Sequence, residues 1–480
     1  MARITAVIDI GSNSMRMVVM ERTSRFGFRL LKEVKSRVRI SEGAYENSGI
    51  LQPSAVSRAV EAMRSFKEIA VGYKARKILC VATSAVRDAP NRSDFLRQVR
   101  QNTNIEIRVI DGEKEAYYGA LSALNLLPIQ NGITVDIGGG STELGLIKNG
   151  KIEGLISLNL GTVRLKELVF DKNLSLQDAI KQLQPELSRI PENFKADTII
   201  GIGGTNRALA GAIMKQTNYP IDVIHAFSFS WIEQKNYIEQ IINSKQNRLK
   251  MLGIKPDRFD VIREGALIMK CVADIVGGKN FMASGGGVRE GVFLADILRS
   301  CGHKFPPNLN PSVRSLLDRY CTNEDSANYI RQSALKLFDV LKPLHWLSSD
   351  YEIILNHASK LANIGENINF YSHRHHSYYI LLNNLDYGLT HTQKLLIASI
   401  VKYHGKRFGE LDNDEFYPLL ADKTSIVKWL SVILTVAECL NSTFSKPKWD
   451  AKIEGRTLVI TSNDNFYLAK ERIAAMVKED

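Results

Sequence analysis

A strand, a small-residue turn and a returning strand occur twice near the start of the chain, and the repetition leaves few folds open. Residues 4–10 (ITAVIDI) run into Gly11-Ser12-Asn13-Ser14 and return as 15–20 (MRMVVM). Residues 132–137 (GITVDI) run into Gly138-Gly139-Gly140-Ser141-Thr142 and return as ELGLIK, then turn at Asn149-Gly150 into KIEGLIS. Short apolar runs bounded by turn residues read as buried strands, and Asn-Gly suits a hairpin because both residues tolerate positive φ. Asp9-Ile10-Gly11 aligns with Asp136-Ile137-Gly138, so a duplicated α/β domain is the economical reading.

The segments between and after the copies fit that reading. Helical apolar spacing covers 53–71 after Pro53, 91–101 after an Asp88-Ala89-Pro90 break, 113–125 and 162–170, while 77–82 (KILCVA), 105–110 (IEIRVI) and 197–202 (DTIIGI) read as strands. Strands alternating with helices indicate α/β layers. After about residue 300 the glycine-rich turns fade, Pro306-Pro307 with Pro311 reads as a linker, long helical patterns fill 311 to about 442, and 451–478 closes with two strands and a helix.

At 480 residues the chain is too long for one hydrophobic core, and its 44% hydrophobic and 24% charged residues are ordinary for a folded protein. No apolar run approaches the length of a membrane span, and the first apolar stretch, broken by Asp9, lacks a signal-peptide core. Five scattered cysteines without a C-x-x-C pair suit a reducing compartment, so a cytoplasmic location is expected. Residues 1–300 hold 42 Lys+Arg against 31 Asp+Glu, and residues 301–480 hold 21 against 20, so +11 of the +12 net charge lies in the first part. That field attracts polyanions, among them nucleotides and polyphosphate, without choosing between them.

Four small-residue turns each follow an apolar strand: 11–14, 138–142, Gly203-Gly204-Thr205, and Ser284-Gly285-Gly286-Gly287. Glycine lets backbone N–H groups approach a phosphate, and Ser or Thr hydroxyls add donors. Asp9 and Asp136 end their strands at such turns, with Glu143 just beyond the second. Carboxylates beside phosphates need a cation between them, and hard oxygen ligands favour Mg²⁺, with Mn²⁺ as a substitute.

The segments V-I-D-I-G-S-N-S-M-R (7–16), A-T-S-A-V-R-D-A (82–89), I-D-G-E-K-E-A (110–116), V-D-I-G-G-G-S-T-E (135–143) and V-R-E-G (288–291) together resemble the exopolyphosphatase/guanosine pentaphosphate phosphohydrolase family. The resemblance runs through about residues 3–300 and implies two actin-like, ribonuclease-H-like domains of the sugar kinase/Hsp70/actin superfamily. It implies a water-activating base at Glu115, matching the second Glu of G-x-E-E-A, with Lys114 where many members carry the first. It further implies metal binding by Asp136 and Glu143, to which the residue pattern adds Asp9. Substrate phosphates would meet Ser12, Asn13, Ser14, Arg16, Gly138, Gly139, Gly140, Ser141, Thr142, Gly203, Gly204, Thr205 and Arg289.

A looser similarity extends into the C-terminal part, where longer family members carry an HD-like domain. The expected organisation is therefore 1–125 and 126–300 as actin-like domains, 301–445 as the helical HD-like domain and 446–480 as a small α/β segment. His357 and the segment 361–365 fit the HD frame, but Ala362-Asn363 stands where a His-Asp pair is required, and neither replaces those ligands. A platform for dimerisation or for holding a long substrate is expected there, against the alternative of an unrecognised metal site among His345, His357, His373, His375, His376, His391 and His404.

The leading expectation is a Mg²⁺-dependent hydrolase releasing the terminal phosphate of pppGpp, of inorganic polyphosphate, or of both, as a cytoplasmic homodimer without membrane or nucleic-acid partners. The competing readings are an ATP-dependent kinase of the same superfamily, for which Ser284-Gly285-Gly286-Gly287 would be the adenosine-side loop, and a non-catalytic alarmone or polyphosphate sensor.

Overall fold

The computed structural model describes residues 3–172, 175–405 and 417–477. Residues 406–416, within the stretch expected to be helical, and residue 478 lie outside the described residues. Two compact units divide the chain, Met1–Asn308 and Leu309–Asp480.

The first unit holds two lobes. In the first lobe, β1 (Arg3–Ile10), β2 (Met15–Arg22), β3 (Phe28–Ser36), β4 (Lys77–Ala82) and β5 (Ile107–Val109) form a sheet in the order β3-β2-β1-β4-β5. The β1-β2-β3 meander is antiparallel, and β4 and β5 run parallel to β1. Helices α1 (Pro53–Gly72), α2 (Ser84–Arg87) and α3 (Arg92–Thr103) connect them, and α4 (Gly112–Leu126) leads to the second lobe. Ala6, Val7 and Ile8 are all fully buried, as an apolar run without alternation requires of a strand covered on both faces. β3 was not legible in advance because Lys32, Glu33 and Lys35 interrupt its apolar pattern, and those charges suit its place at the sheet edge.

In the second lobe β6 (Gly132–Ile137), β7 (Thr142–Lys148), β8 (Lys151–Leu158), β9 (Thr198–Ile202), β10 (Ser228–Ser230) and β11 (Asn280–Ala283) take the order β10-β11-β9-β6-β7-β8. Its helices are α5 (Thr162–Leu165), α6 (Leu176–Leu187), α7 (Gly203–Gln216), α8 (Trp231–Asn243), α9 (Ile262–Val276) and α10 (Val288–Ile297). The β8-β7-β6-β9-β11 run repeats the order and strand directions of β3-β2-β1-β4-β5, with β10 added antiparallel at the edge. The duplication read from two hairpins is therefore a duplication of the whole sheet, and the two lobes are actin-like. The expected 162–170 helix is short, since α5 passes at Lys166 into a π-helical turn ending at Phe170.

The boundary between the units falls between Pro306-Pro307 and Pro311, within the stretch read as a linker, and the residues just before it are tied to the first unit. Phe305 stacks on Phe28 and meets Phe26 edge-on, its N–H donates to Asn125 Oδ1, and His303 Nδ1 lies 2.6 Å from the Tyr117 hydroxyl. Residues 301–308 thus belong to the first unit, held by burial that sequence periodicity does not reveal.

The second unit is mostly helical: α11 (Pro311–Tyr320), α12 (Glu324–His345), α13 (Asp350–Leu361), α14 (His373–Asn384), α15 (His391–Tyr403), α16 (Tyr417–Leu420) and α17 (Thr424–Leu440). It ends in a hairpin, β12 (Asp450–Glu454) and β13 (Thr457–Thr461), and α18 (Tyr467–Val477). α15 and α17 are hydrophobic almost all round and make the centre of this unit, with Leu396, Ile397, Ile400, Leu430, Ile433 and Leu434 buried. No helix among the described residues is long and apolar enough to cross a membrane.

Candidate active site

Each lobe presents the end of its central strand to a shared cleft. β1 ends in a turn closed by the Gly11 N–H donating to the Ser14 carbonyl at 3.3 Å, and β6 ends in a turn closed by the Gly138 N–H donating to the Ser141 carbonyl at 2.9 Å. The cleft between them has a volume of about 130 Å³. Asp9, Ser12, Asn13, Ser14 and Arg16 line it from the first lobe, and Asp136, Gly138, Gly139, Ser141, Gly203, Gly204 and Thr205 from the second. Glu115 and Arg289 complete the wall, at the first turn of α4 and the start of α10.

Gly140, Thr142 and Glu143 stand outside that lining. The Thr142 hydroxyl donates to the Leu160 carbonyl at 2.6 Å, and the Gly140 carbonyl accepts from Arg164 Nε at 3.0 Å. Both residues shape the loop from behind. Glu143 is buried, accepts from the Ser157 hydroxyl at 2.9 Å, and faces Asp136 across the β6–β7 ladder. The Ser284-Gly287 loop spends its donors internally: the Gly285 N–H on His225 Nδ1 and the Gly287 N–H on Glu290.

Four carboxyls influence one another here. Burial, then Glu143, Asp9 and Asp136 in turn, raise the Glu115 carboxyl well above the usual range. Burial pushes Glu143 up to about 8 against the hydrogen bonds of Ser141 and Ser157, with Asp136 adding to the rise. Burial likewise lifts Asp9 to about 6 against Arg289, and lifts Asp136 despite Arg207, Arg16 and Arg289. Asp9 Oδ1 and Glu115 Oε2 are buried without a hydrogen-bond partner, and Arg87 Nη1 approaches the latter at 3.5 Å. Unpartnered carboxylate oxygens in a charged cleft suit a hard cation. The acids do not form a closed cage, because the one group of three His, Cys, Asp or Glu ligand atoms drawn together among the described residues is elsewhere, in the second unit. An Mg²⁺ site would suit the arrangement, since that ion keeps waters and substrate phosphates in its shell and takes only one or two carboxylates.

The same cleft is lined by Arg16, Arg207, Arg258 and Arg289. Glu33 at the edge strand orients two of them, with its Oε1 at 2.7 Å from Arg289 Nη1 and 3.8 Å from Arg16 Nη1. Arg207 donates to the Gly285 carbonyl at 2.7 Å, and burial among the other guanidiniums lowers it to about 10, so it stays charged at neutral pH. A planar guanidinium is matched to bidentate contact with phosphate oxygens. Gly203, at φ +83°, opens α7 so close to Asp136 that a side chain there would strike its carboxylate.

Residues 18–300 match the Ppx/GppA phosphatase family, and residues 310–472 match Ppx/GppA phosphatase, domain III. The chain belongs to the Ppx/GppA phosphatase family. It is 28% identical over 425 residues to the guanosine-5'-triphosphate,3'-diphosphate pyrophosphatase of Aeromonas hydrophila, covering 86% of this chain and 82% of that one. The Aeromonas salmonicida protein of the same name is 28% identical over 407 residues, covering 82% and 79%. The crystal structure of the Aquifex aeolicus family member superposes with TM-score 0.54 at 27% identity, over 63% of this chain and 99% of that one. An exopolyphosphatase from Cytophaga hutchinsonii shares the fold, with TM-score 0.56 at 22% identity over 62% and 98%. As a Ppx/GppA member the chain is a phosphohydrolase.

Several lining residues went unnoticed in the sequence. Thr83 and Ser84 lie in the 82–89 segment, and the Ser84 hydroxyl sits 3.2 Å from that of Ser12. Arg207 is the fifth residue of α7, two past Thr205, so a basic residue one helical turn beyond Gly203 was the available signal. Arg258 comes from a short 3-10 turn with no pattern of its own.

Proposed function

We propose that this Ppx/GppA phosphohydrolase removes the terminal phosphate of pppGpp, yielding ppGpp and orthophosphate, and accepts inorganic polyphosphate by the same chemistry. The observation that carries the reading is Glu115: a buried carboxyl with one unpartnered oxygen, in the cleft that two phosphate-type turns and four arginines line. Hydrolysing a phosphoanhydride asks a protein for a positioned water and for charge neutralisation on the transferred group, and little else. Glu115 holds the water and takes its proton as the water oxygen bonds to the terminal phosphorus and the bridging P–O bond breaks. Arg16, Arg207, Arg258 and Arg289 bind the equatorial and leaving oxygens, and Ser12, Ser14, Ser141 and Thr205 fix the phosphate chain.

Asp9 and Asp136, with Glu143 behind them, are the residues that would hold Mg²⁺, or Mn²⁺ in its place. When bound, that ion supplies charge neutralisation on the phosphate oxygens. A second cavity of about 840 Å³ shares Gly204, Arg207 and Arg258 with the cleft and continues past Met214, Tyr219, Ile221 and Ile224. Its size and partly apolar wall suit a nucleoside, which supports pppGpp as the first substrate. All five cysteines carry free thiols, which supports a cytoplasmic protein. Exposed Ile368, Phe370, Tyr371 and Tyr379 in the second unit support a homodimer.

Phosphate release from pppGpp, medium and long polyphosphate, and ATP with a sugar acceptor tests the reading. Release from pppGpp that depends on Mg²⁺ and falls with Glu115→Gln is expected. Transfer to the acceptor, or no turnover of any phosphoanhydride, would refute it.

A further inference from the structure

Three helices of the second unit bring two imidazoles and a carboxylate together at positions unrelated to the HD frame. His373 opens α14, His404 caps the C-terminus of α15, and Glu438 lies in the last turn of α17. α15 packs against both α14 and α17, and one ligand atom from each of the three residues lies within 4.8 Å of the other two. His357, which fits the HD frame, is not part of this group.

Hydrogen bonding fixes what each ring presents. His404 Nδ1 lies 2.6 Å from the Val401 carbonyl, and His373 Nδ1 lies 3.0 Å from the Phe370 carbonyl. A carbonyl only accepts, so both Nδ1 atoms carry the hydrogen and both neutral rings offer an Nε2 lone pair. Those Nε2 atoms are buried and have no hydrogen-bond partner, and His404 as a whole is fully buried. Glu438 Oε2 is 3.5 Å from His404 Nε2, while its Oε1 faces Arg472 at 4.0 Å. Two lone pairs and a carboxylate oxygen then lie within 4.8 Å of one another, an arrangement that a bound cation would stabilise.

We propose that His373 Nε2, His404 Nε2 and Glu438 Oε2 form a divalent transition-metal site of the zinc class in the second unit. Two imidazoles and one carboxylate suit Zn²⁺ far better than Mg²⁺. Backbone carbonyls on both Nδ1–H groups are the outer-shell partners that orient metal-binding histidines. Three protein ligands leave a coordination position for water or a substrate oxygen.

The test uses the full chain, with any affinity tag removed and metal stripped by chelation, titrated with Co²⁺ and then Zn²⁺. One equivalent of Co²⁺ should bind with a ligand-field band of low coordination number, displaced by Zn²⁺ and not by Mg²⁺. His373→Gln and Glu438→Gln should each weaken Co²⁺ binding by about 100-fold or more, since losing a ligand costs at least what losing an outer-shell partner costs. Glu115→Gln and the double change His375→Ala/His376→Ala should leave it intact. The Nε2 resonances of His373 and His404 in the unsubstituted protein should shift with one equivalent of Zn²⁺, a readout independent of whether any variant folds. Absence of stoichiometric binding, unmoved Nε2 resonances, or a band that survives both ligand changes would overturn the site. A band lost with the His375/His376 change would do so as well, by placing the metal on surface histidines, and one lost with Glu115→Gln would place it in the cleft.

Discussion

Asp136 and Glu143 are register partners across the β6–β7 hairpin, as Asp9 and Arg16 are across the β1–β2 hairpin. The two copies of one unit thus differ in what faces the turn carboxylate: the first lobe answers it with a guanidinium, the second with another acid. Like charges facing each other on a ladder are destabilising, and burial makes that worse. On this ladder the second lobe supplies no counter-charge, and Arg207 of α7 offsets the burial of Asp136 only in part. A cation arriving with the substrate would supply the rest.

Replacing Asp136 by Asn should then raise the Mg²⁺ concentration for half-maximal phosphate release, because an amide is a far weaker ligand for a hard dication. Glu143→Gln should shift it less, since Glu143 is outside the lining and bound to Ser157. A Mg²⁺ titration at saturating pppGpp measures both, and an unchanged midpoint for Asp136→Asn would remove it from the metal site.

Glu115→Gln should lower kcat by roughly 10²–10⁴-fold with KM little changed, because the amide keeps the shape and loses the basicity. Glu113→Gln, exposed one turn position away, should stay near the unsubstituted rate. Steady-state phosphate release decides this, and near-normal turnover by Glu115→Gln would exclude it as the base.

Protons should also report on the acid cluster through stability. Asp9 and Glu143 rise to about 6 and about 8 on folding, and Glu264 to about 7, so the native state keeps protons that the unfolded chain gives up. Their contribution is complete below the ordinary carboxylate range and is lost as pH climbs through those values. His357 and His404, both lowered to about 4, act in the opposite sense below about pH 6.5. The clean window lies above that: the Tm of metal-free protein should fall between about pH 6.5 and 8.5, and Mg²⁺ should flatten the slope. Differential scanning fluorimetry in EDTA and in Mg²⁺ measures this, and a flat metal-free profile would contradict the raised values.

How much of this was legible from residues follows from which signals are local. The two hairpins and their turn acids announce themselves, because a strand ending in Asp-Ile-Gly is a short-range pattern. The arginine side of the cleft shows less: Arg16 and Arg289 were expected only from the family resemblance, and Arg207 and Arg258 escaped because only tertiary packing aims them. The His373, His404 and Glu438 cluster was hidden for the same reason: its members lie on three helices, and the HD frame pointed to His357 and Ala362-Asn363 instead.

Helix packing couples to the site at Gly291. Its α-carbon on α10 sits against the Tyr118 backbone of α4, the helix whose first turn carries Glu115, and a side chain there would overlap the Tyr118 carbonyl. Gly291→Ala should cost about 1–3 kcal/mol by overpacking and should also lower kcat by moving α4. Thermal melts and steady-state kinetics on the same sample check both, and full activity with a lowered Tm would show that α4 yields without displacing Glu115.

Polyphosphate affinity should fall steeply with salt, since a polyanion sheds counterions when four guanidiniums replace them. On the order of a hundredfold loss over a fourfold rise in salt is expected, with a shallower slope for Arg207→Gln. Salt-independent binding of long chains would place them away from the cleft.

Where the first unit ends gives a final prediction that separates folding from chemistry. All cleft residues lie within Met1–Asn308, so a chain ending at Asn308 should fold and still hydrolyse pppGpp. A chain ending at Ser300 would lose Phe305 from its contacts with Phe26 and Phe28, the His303 contact to the Tyr117 hydroxyl, and two of the three partners of the Asn125 amide. Losing a packed Phe costs about 3–5 kcal/mol, and Tyr117 and Asn125 both lie on α4, so the shorter chain should melt lower and turn over more slowly. Equal Tm and kcat for the two lengths would show that residues 301–308 are dispensable to α4. Loss of pppGpp hydrolysis by the longer chain, with its fold intact by circular dichroism, would show that the second unit takes part in the reaction.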